Sequence, residues 1–216
     1  WKTALDILKQ AMDESGYPYK EVEGEAAFYG PKVDFMVKSV VGTEYAISTN
    51  QLDFMATKRF ELEYTAADGD KKPVYVIHRA PLGSHERFTA FLIEHYAGKF
   101  PTWLSPTQAV VIPIADRHEE YAQAVKDKLF LSDVDSVNTG VRVEVDLASE
   151  RMQKKIRNAQ NRQIPYMLVV GDAEAENGEV AVRHRDHGDL GTMKVEDLIA
   201  RIAKEQSGRA DLPKPE

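Results

Sequence analysis

The sequence predicts an α+β/α/β two-domain protein, an antiparallel-sheet domain followed by a three-layer α/β domain. Three observations carry this. Strand-like runs before Ile77 are joined by connections too short for helical crossovers. A Pro- and Trp-containing stretch, KFPTWLSPTQ, then interrupts regular structure. Beyond it, apolar strand-like runs alternate with amphipathic helical ones, in the order β-α-β-α-β-β-α. We place the division near Pro106, giving domains 1–105 and 106–216.

The first domain opens with a helix over Trp1–Met12, whose Leu5, Ile7, Leu8 and Met12 fall near one side. A chain that starts on Trp inside a helix reads as the interior of a longer polypeptide, or as a trimmed one. Val33, Phe35 and Val37 alternate with Asp34, Met36 and Lys38, the period of a half-buried strand. Tyr45, Ile47 and Thr49 repeat that alternation on the return. Phe60–Tyr64 and Pro73–Ile77 are expected to pair across the turn-rich TAADGDKK. A helix from Ser84 to Tyr96 closes the domain, with Phe88, Phe91 and Leu92 in its buried stripe.

In the second domain, AVVIPI, GVRVEVDL, IPYMLVVG and GEVAVRHR are expected strands, in a sheet of at least four strands, mostly parallel. Arg117–Leu129, Glu150–Asn161 and Val195–Ala203 are expected helices.

Bulk properties narrow the function. With 43% hydrophobic residues in 216, a substantial core is available and disorder is excluded. The absence of cysteine excludes disulfides and thiolate-bound metal within this chain. No apolar run is long enough to span a membrane, so a cytoplasmic location and no membrane partner are expected. The net charge of −7 argues against nonspecific coating of nucleic acid, but leaves room for a local basic face.

Several polar groups stand at strand ends and turns. In GSHERF, Gly83 permits a tight turn, Ser84 can cap a helix, and Arg87 follows one helical turn later. Arg87 can pair with a phosphate or stack on a base; it can equally join Glu86 or Glu94 in a surface charge network. His78 ends a strand and can bind metal or orient a ligand, yet one histidine makes no metal site. Lys32 follows the turn YGPK and can project toward an anion or simply be solvated. Thr49 and Gln51 in STNQLDF offer neutral hydrogen bonds suited to hydroxyl and amino groups, and Asp53 can cap a turn. In the second domain, Arg151, Lys154, Lys155, Arg157 and Arg162 can surround a phosphate-facing edge, or line a solvated helix.

Together YGPKVDF, STNQLDF, RFELEY, IHRA, GSHERF and EHYAGKFPTWLSP stand in the order and spacing of bacterial-type threonyl-tRNA synthetases. The resemblance covers essentially the whole chain. It implies the C-terminal part of a class II synthetase antiparallel-sheet catalytic domain, with GSHERF as the third signature motif, followed by an anticodon-binding domain. The implied activity of the intact protein is threonine–tRNA ligation: threonine and ATP form threonyl-adenylate, which is transferred to tRNA(Thr). Arg87 is then the motif arginine acting on ATP. Lys32 lies near the reacting carboxylate or phosphate, Gln51 near adenosine, and Ser84 near the threonine pocket, while Thr49 matches a further polar position of the ATP-binding set. His78 becomes one of three ligands of a zinc ion (Zn2+), the other two lying in earlier sequence, and magnesium (Mg2+) accompanies ATP. Ala46 and Ser48 depart from the glutamine and glycine of some relatives. Ser149, Glu174 and Arg183 match base-reading positions, with Ser149 replacing an asparagine. The resemblance also implies a homodimer when intact. The first two class II motifs are absent, so this segment is expected to be inactive alone. The alternative is a noncatalytic tRNA-binding or regulatory synthetase-like protein.

Overall fold

The computed structural model describes residues 1–134 and 140–208, and its contacts divide the chain into two compact units, Trp1–His95 and Tyr96–Glu216.

The first unit begins with helix α1 (Lys2–Ser15), on which Leu5 and Ile7 are exposed while Leu8 and Met12 are half-covered. Strands β1 (Lys32–Lys38), β2 (Glu44–Asp53) and β5 (Val76–Ala80) form an antiparallel sheet in the order β1-β2-β5. The register carries a bulge: Phe35 pairs with Ser48, but Met36 pairs with Ala46, leaving Ile47 over. Tyr45 and Thr49, a continuous stripe in the sequence pattern, therefore stand on opposite faces.

The chain between β2 and β5 differs from expectation. Asp53 caps a short helix, α2 (Phe54–Arg59), accepting hydrogen bonds from the N–H groups of Met55 and Ala56 at 2.8 Å. The expected pair of strands shrinks to β3 (Glu63–Thr65) and β4 (Lys71–Pro73), and the chain from Val76 pairs with β2 instead. Helix α3 (His85–Tyr96) follows a cap at Ser84, whose hydroxyl accepts the Arg87 N–H at 3.2 Å.

The second unit is a five-stranded sheet in the order β10-β9-β8-β6-β7. Strands β6 (Ala109–Pro113), β7 (Val143–Val145) and β8 (Tyr166–Val170) run parallel; β9 (Glu179–His184) and β10 (Gly188–Lys194) add antiparallel pairings. Parallel and antiparallel pairings are thus equally frequent, because the glycine-bearing run GDLGTMK forms a hairpin return. All of β6 and β8 is buried, as a strand covered on both faces must be. Val111, Leu168 and Val182 pack on one face with Leu129 of helix α4 (Glu119–Phe130) and Leu198 of helix α7 (Val195–Gly208). Val110, Ile112 and Met167 pack on the other with Ile156 of helix α5 (Met152–Asn161). These are the three layers. Helix α6 (Asp172–Asn177) is a short turn of helix after β8.

Segment 96–105 is fastened to this unit by main-chain carbonyls. Arg142 donates to Ser105 O at 3.0 Å and Trp103 O at 2.9 Å, and Arg185 donates to Phe100 O at 3.0 Å. Buried Gln108 donates to Thr102 O at 2.9 Å.

Apart from Pro31 and Pro101, every buried apolar side chain among the described residues lies between Ala109 and Ile202. The first unit instead exposes Phe28, Phe35, Met36 and Ile77.

Candidate functional site

In the first unit the strand register assembles the site. Gln51 lies opposite Lys32 on one side and His78 on the other, so three polar side chains from three strands form one row. Thr49, two residues back, shares their face, and its buried hydroxyl has no hydrogen-bond partner. The bulge turns Ala46 to this same face.

Each member of the row is held by a neighbour. Lys32 Nζ donates to Asp34 Oδ2 at 2.5 Å, two residues along β1 and on the same face. Tyr29 donates its hydroxyl hydrogen to Gln51 Oε1. His78 Nε2 lies 2.7 Å from Asp53 Oδ2, and the Tyr29 ring meets the imidazole edge-on at 5.7 Å. The hydrogen bond from His78, with that from the Ala56 N–H, holds the Asp53 carboxyl below its ordinary range. Asp34, Asp53 and Tyr29 were not singled out as site residues from sequence. The two aspartates had a readable signal, since Asp34 and Lys32, like Asp53 and Gln51, are two apart on a strand.

The turn beneath the row depends on Gly30. A methyl group there would stand 1.9 Å from the Leu52 carbonyl oxygen, so the backbones of Tyr29–Pro31 and β2 approach as only glycine allows.

Arg87 and Ser84 are not in the row. Both stand at the start of α3, and Arg87 lines an opening of about 340 Å3 with Val37, Tyr45, Ile47, Phe91 and Glu94. Val37 and Tyr45 belong to the opposite sheet face. Among the described residues neither Glu86 nor Glu94 forms a salt bridge with Arg87. Its own N–H and the Ser84 hydroxyl instead hold the Glu86 carboxyl below its usual range.

His78 supplies one candidate metal ligand. Its Nε2 is engaged by Asp53, leaving Nδ1 for an ion, the arrangement in which a carboxylate orients a histidine ligand. Among the described residues no group of three or more histidines, aspartates or glutamates is placed to hold a metal, so the donor set fits as one contribution and not as a complete centre.

In the second unit, Ser149 and Glu174 follow the C-terminal ends of β7 and β8. Glu174 Oε2 accepts the Gly171 N–H at 2.9 Å. The Ser149 loop is pinned on both sides: Asp146 accepts the Ala148 N–H at 3.0 Å, and Glu150 binds Lys154 at 2.6 Å. Arg183 pairs with Met167 near the other end of β8, is exposed, and shares the α5 side of the sheet with Ala181. The three are therefore not one cluster. Of the basic residues on or beside α5, Lys155 is buried and donates to Asp146 O at 2.9 Å and Pro113 O at 3.4 Å, so it ties strand ends together instead of facing a phosphate. Lys154 and Arg162 pair with carboxylates, while Arg151 and Arg157 are exposed.

Comparison with known proteins accounts for both regions. Residues 1–96 match the tRNA synthetase class II core domain (G, H, P, S and T), and residues 108–205 match the anticodon binding domain. A threonine–tRNA ligase of Carboxydothermus hydrogenoformans is 48% identical over 95% of this chain and 32% of its own length. That of Aquifex aeolicus is 47% identical over 92% of the chain and 30% of its length. This chain matches the C-terminal catalytic and anticodon-binding region of bacterial-type threonine–tRNA ligases. It spans about a third of the length of those curated relatives. The crystal structure of the RNA binding domain of threonyl-tRNA synthetase from Cryptosporidium parvum Iowa II superposes with a TM-score of 0.85 at 37% identity, over 94% of this chain and 50% of that one. Lys32, Gln51, His78 and Arg87 fall within the residues that match the class II core domain, and Ser149, Glu174 and Arg183 within those that match the anticodon binding domain. Among the described residues no helix is long and apolar enough to cross a membrane.

Proposed function

We propose that this chain is the C-terminal part of a threonine–tRNA ligase, contributing one wall of the adenylate-forming site and the surface that reads the anticodon. The single row Lys32–Gln51–His78 carries the reading, because it sets a cation, a neutral amide and an imidazole on one open sheet face. The apolar surface of the first unit is what the upstream part of such an enzyme would cover.

The reaction begins with the threonine carboxylate attacking the α-phosphorus of ATP, which enters with its magnesium, and releasing pyrophosphate. Lys32, steadied by Asp34, stabilises the charge near the reacting oxygens; the family resemblance gives Arg87 the nucleotide as its partner, although in this chain its side chain lines an opening over the opposite sheet face. Gln51, oriented by Tyr29, and Thr49 bind neutral groups of the adenosine, and Ser84 borders the threonine pocket. His78 is the ligand this chain would contribute to a zinc ion, which when bound takes the amino group and hydroxyl of threonine. That demand rejects valine, which lacks the hydroxyl. A hydroxyl of the terminal ribose of tRNA(Thr) then attacks the activated carbonyl, forming the ester as the bond to the phosphate breaks and AMP leaves.

On the second unit, the separation of Arg183 from Ser149 and Glu174 suits splayed anticodon bases, each read by its own group. The test is threonine-dependent ATP–pyrophosphate exchange. The full-length protein should show it and the 216-residue chain should not; exchange driven by another amino acid overturns the substrate assignment.

A further inference from the structure

Helix α3 carries Arg87 in its first turn, and its last residue, Tyr96, already belongs to the second unit. The chain bends there at once. Ala97 and Gly98 are both left-handed, at φ 49° and 75°, and the Lys99 N–H returns to Tyr96 O at 2.8 Å. Alanine is strained in that conformation, so the bend persists only where surrounding contacts hold it.

Those contacts come from the turn between β9 and β10. Asp186 Oδ1 binds Lys99 Nζ at 2.5 Å, while Oδ2 accepts from Arg185 Nε at 3.1 Å and from one terminal guanidinium nitrogen at 2.9 Å. The other terminal nitrogen of Arg185 donates to Phe100 O at 3.0 Å and Gln163 O at 2.8 Å. Gln163 is left-handed as well, at φ 58°. With only 9% of its side chain exposed, Arg185 needs a carboxylate beside it, and Asp186 supplies one. Asp186 is itself held by its N–H, which donates to Nδ1 of buried His184 at 3.1 Å. One carboxylate therefore fixes Lys99 directly and, through Arg185, Phe100. Tyr166 pairs with His184, so this anchor stands at the start of β8, the end away from Glu174. No step of the proposed reaction uses it.

We propose that Asp186 is a positioning residue for the transfer step: it stiffens the joint behind α3, so that tRNA held by the second unit meets the adenylate in a restricted range of orientations. This rests on the ligase function proposed above. Units joined by a short segment move against one another by default. A misplacement of about 1 Å can cost about a hundredfold in rate. Adenylate formation involves no RNA and is indifferent to the joint; transfer is not.

The test uses the full-length protein and two rates, threonine-dependent ATP–pyrophosphate exchange and aminoacylation of tRNA(Thr). Asp186→Asn should lower kcat of aminoacylation about tenfold, leaving exchange and the KM for tRNA within about twofold. Lys99→Met should lose in the same direction, and Lys99→Arg, which keeps the ion pair, should not. Two glycines inserted after Gly98 lengthen the joint without touching Asp186, and should reproduce the loss even if Asp186→Asn does not fold. The inference is overturned if the insertion variant aminoacylates at the unsubstituted rate, if Lys99→Arg is as slow as Lys99→Met, or if the KM for tRNA rises while kcat holds. Absence of threonine-dependent exchange in the unsubstituted protein would overturn the ligase reading, and this inference with it.

Discussion

His78 and Asp53, 25 residues apart in sequence, are joined by a 2.7 Å contact between Nε2 and Oδ2, while the same aspartate caps α2 through its other oxygen. One carboxylate thus orients a candidate metal ligand and starts a helix. Asp53→Asn keeps a good helix cap, so stability should fall by no more than about 1 kcal/mol. In the full-length protein, zinc affinity measured by chelator competition should fall about ten- to a hundredfold. An unchanged affinity would remove His78 from the metal site or Asp53 from its support.

Gly30→Ala should be strongly damaging, because Gly30 is buried against β2. The added methyl meets main chain at Leu52, which cannot swing aside, and the register that aligns Lys32 with Gln51 must shift. A loss of about 3 kcal/mol or more in unfolding free energy is expected by chemical denaturation.

Asp172 provides a pH signature. Its partners Arg117 and His118 hold its carboxyl well below the ordinary value of 3.8. A depressed folded-state value stabilises above the unfolded value and is lost as pH falls through the folded one. Unfolding curves should therefore show the unsubstituted chain more stable than Asp172→Asn near neutrality, with the difference shrinking as pH falls below about 4. A gap that widens in acid would contradict the assigned pairing.

Arg183→Ala should discriminate between RNAs. If Arg183 reads a base, its loss should weaken cognate tRNA by about 1–3 kcal/mol and an anticodon-altered tRNA much less. Equal loss on both would mean attraction to the backbone.

The two units should differ in protection. Val110, Leu168 and Val182 are buried, whereas Pro31 alone among the apolar side chains of residues 1–95 is. Amides of β8 should exchange with deuterium orders of magnitude more slowly than those of β1 in this chain. Uniform protection across both would show one cooperative unit.

Much of this architecture was legible because strands carry recognisable apolar patterns, alternating in one unit and continuous in the other. The alternation of Val33, Phe35 and Val37 and the apolar runs of β6 and β8 both declared strands. The misses have local causes. The bulge at Ile47 broke a stripe that looks continuous in sequence, sending Tyr45 and Thr49 to opposite faces. Helices α2 and α6 are six residues each, shorter than a periodic signal needs, although Asp53 did carry the mark of a cap. Strand β10 has no alternation around Gly188 and Gly191, and β5 pairs with a strand that nothing near it in sequence identifies. At the candidate site, single residues such as Lys32 were visible, but the row they form depends on register. Lys155 looked like one more surface cation because its acceptors are carbonyls, which no side-chain pattern reveals.

The carbonyl grip of Arg142 and Arg185 on residues 100–105 bears on how the molecule is dissected. Cutting at the proline-rich stretch would remove the Ser105 and Trp103 carbonyls from Arg142 and the Phe100 carbonyl from Arg185, and would take the Thr102 carbonyl from the side-chain amide of buried Gln108. An excised second unit should therefore begin at Tyr96, so that residues 100–105 travel with it as a clasp, and should melt at a higher temperature than one begun ten residues later.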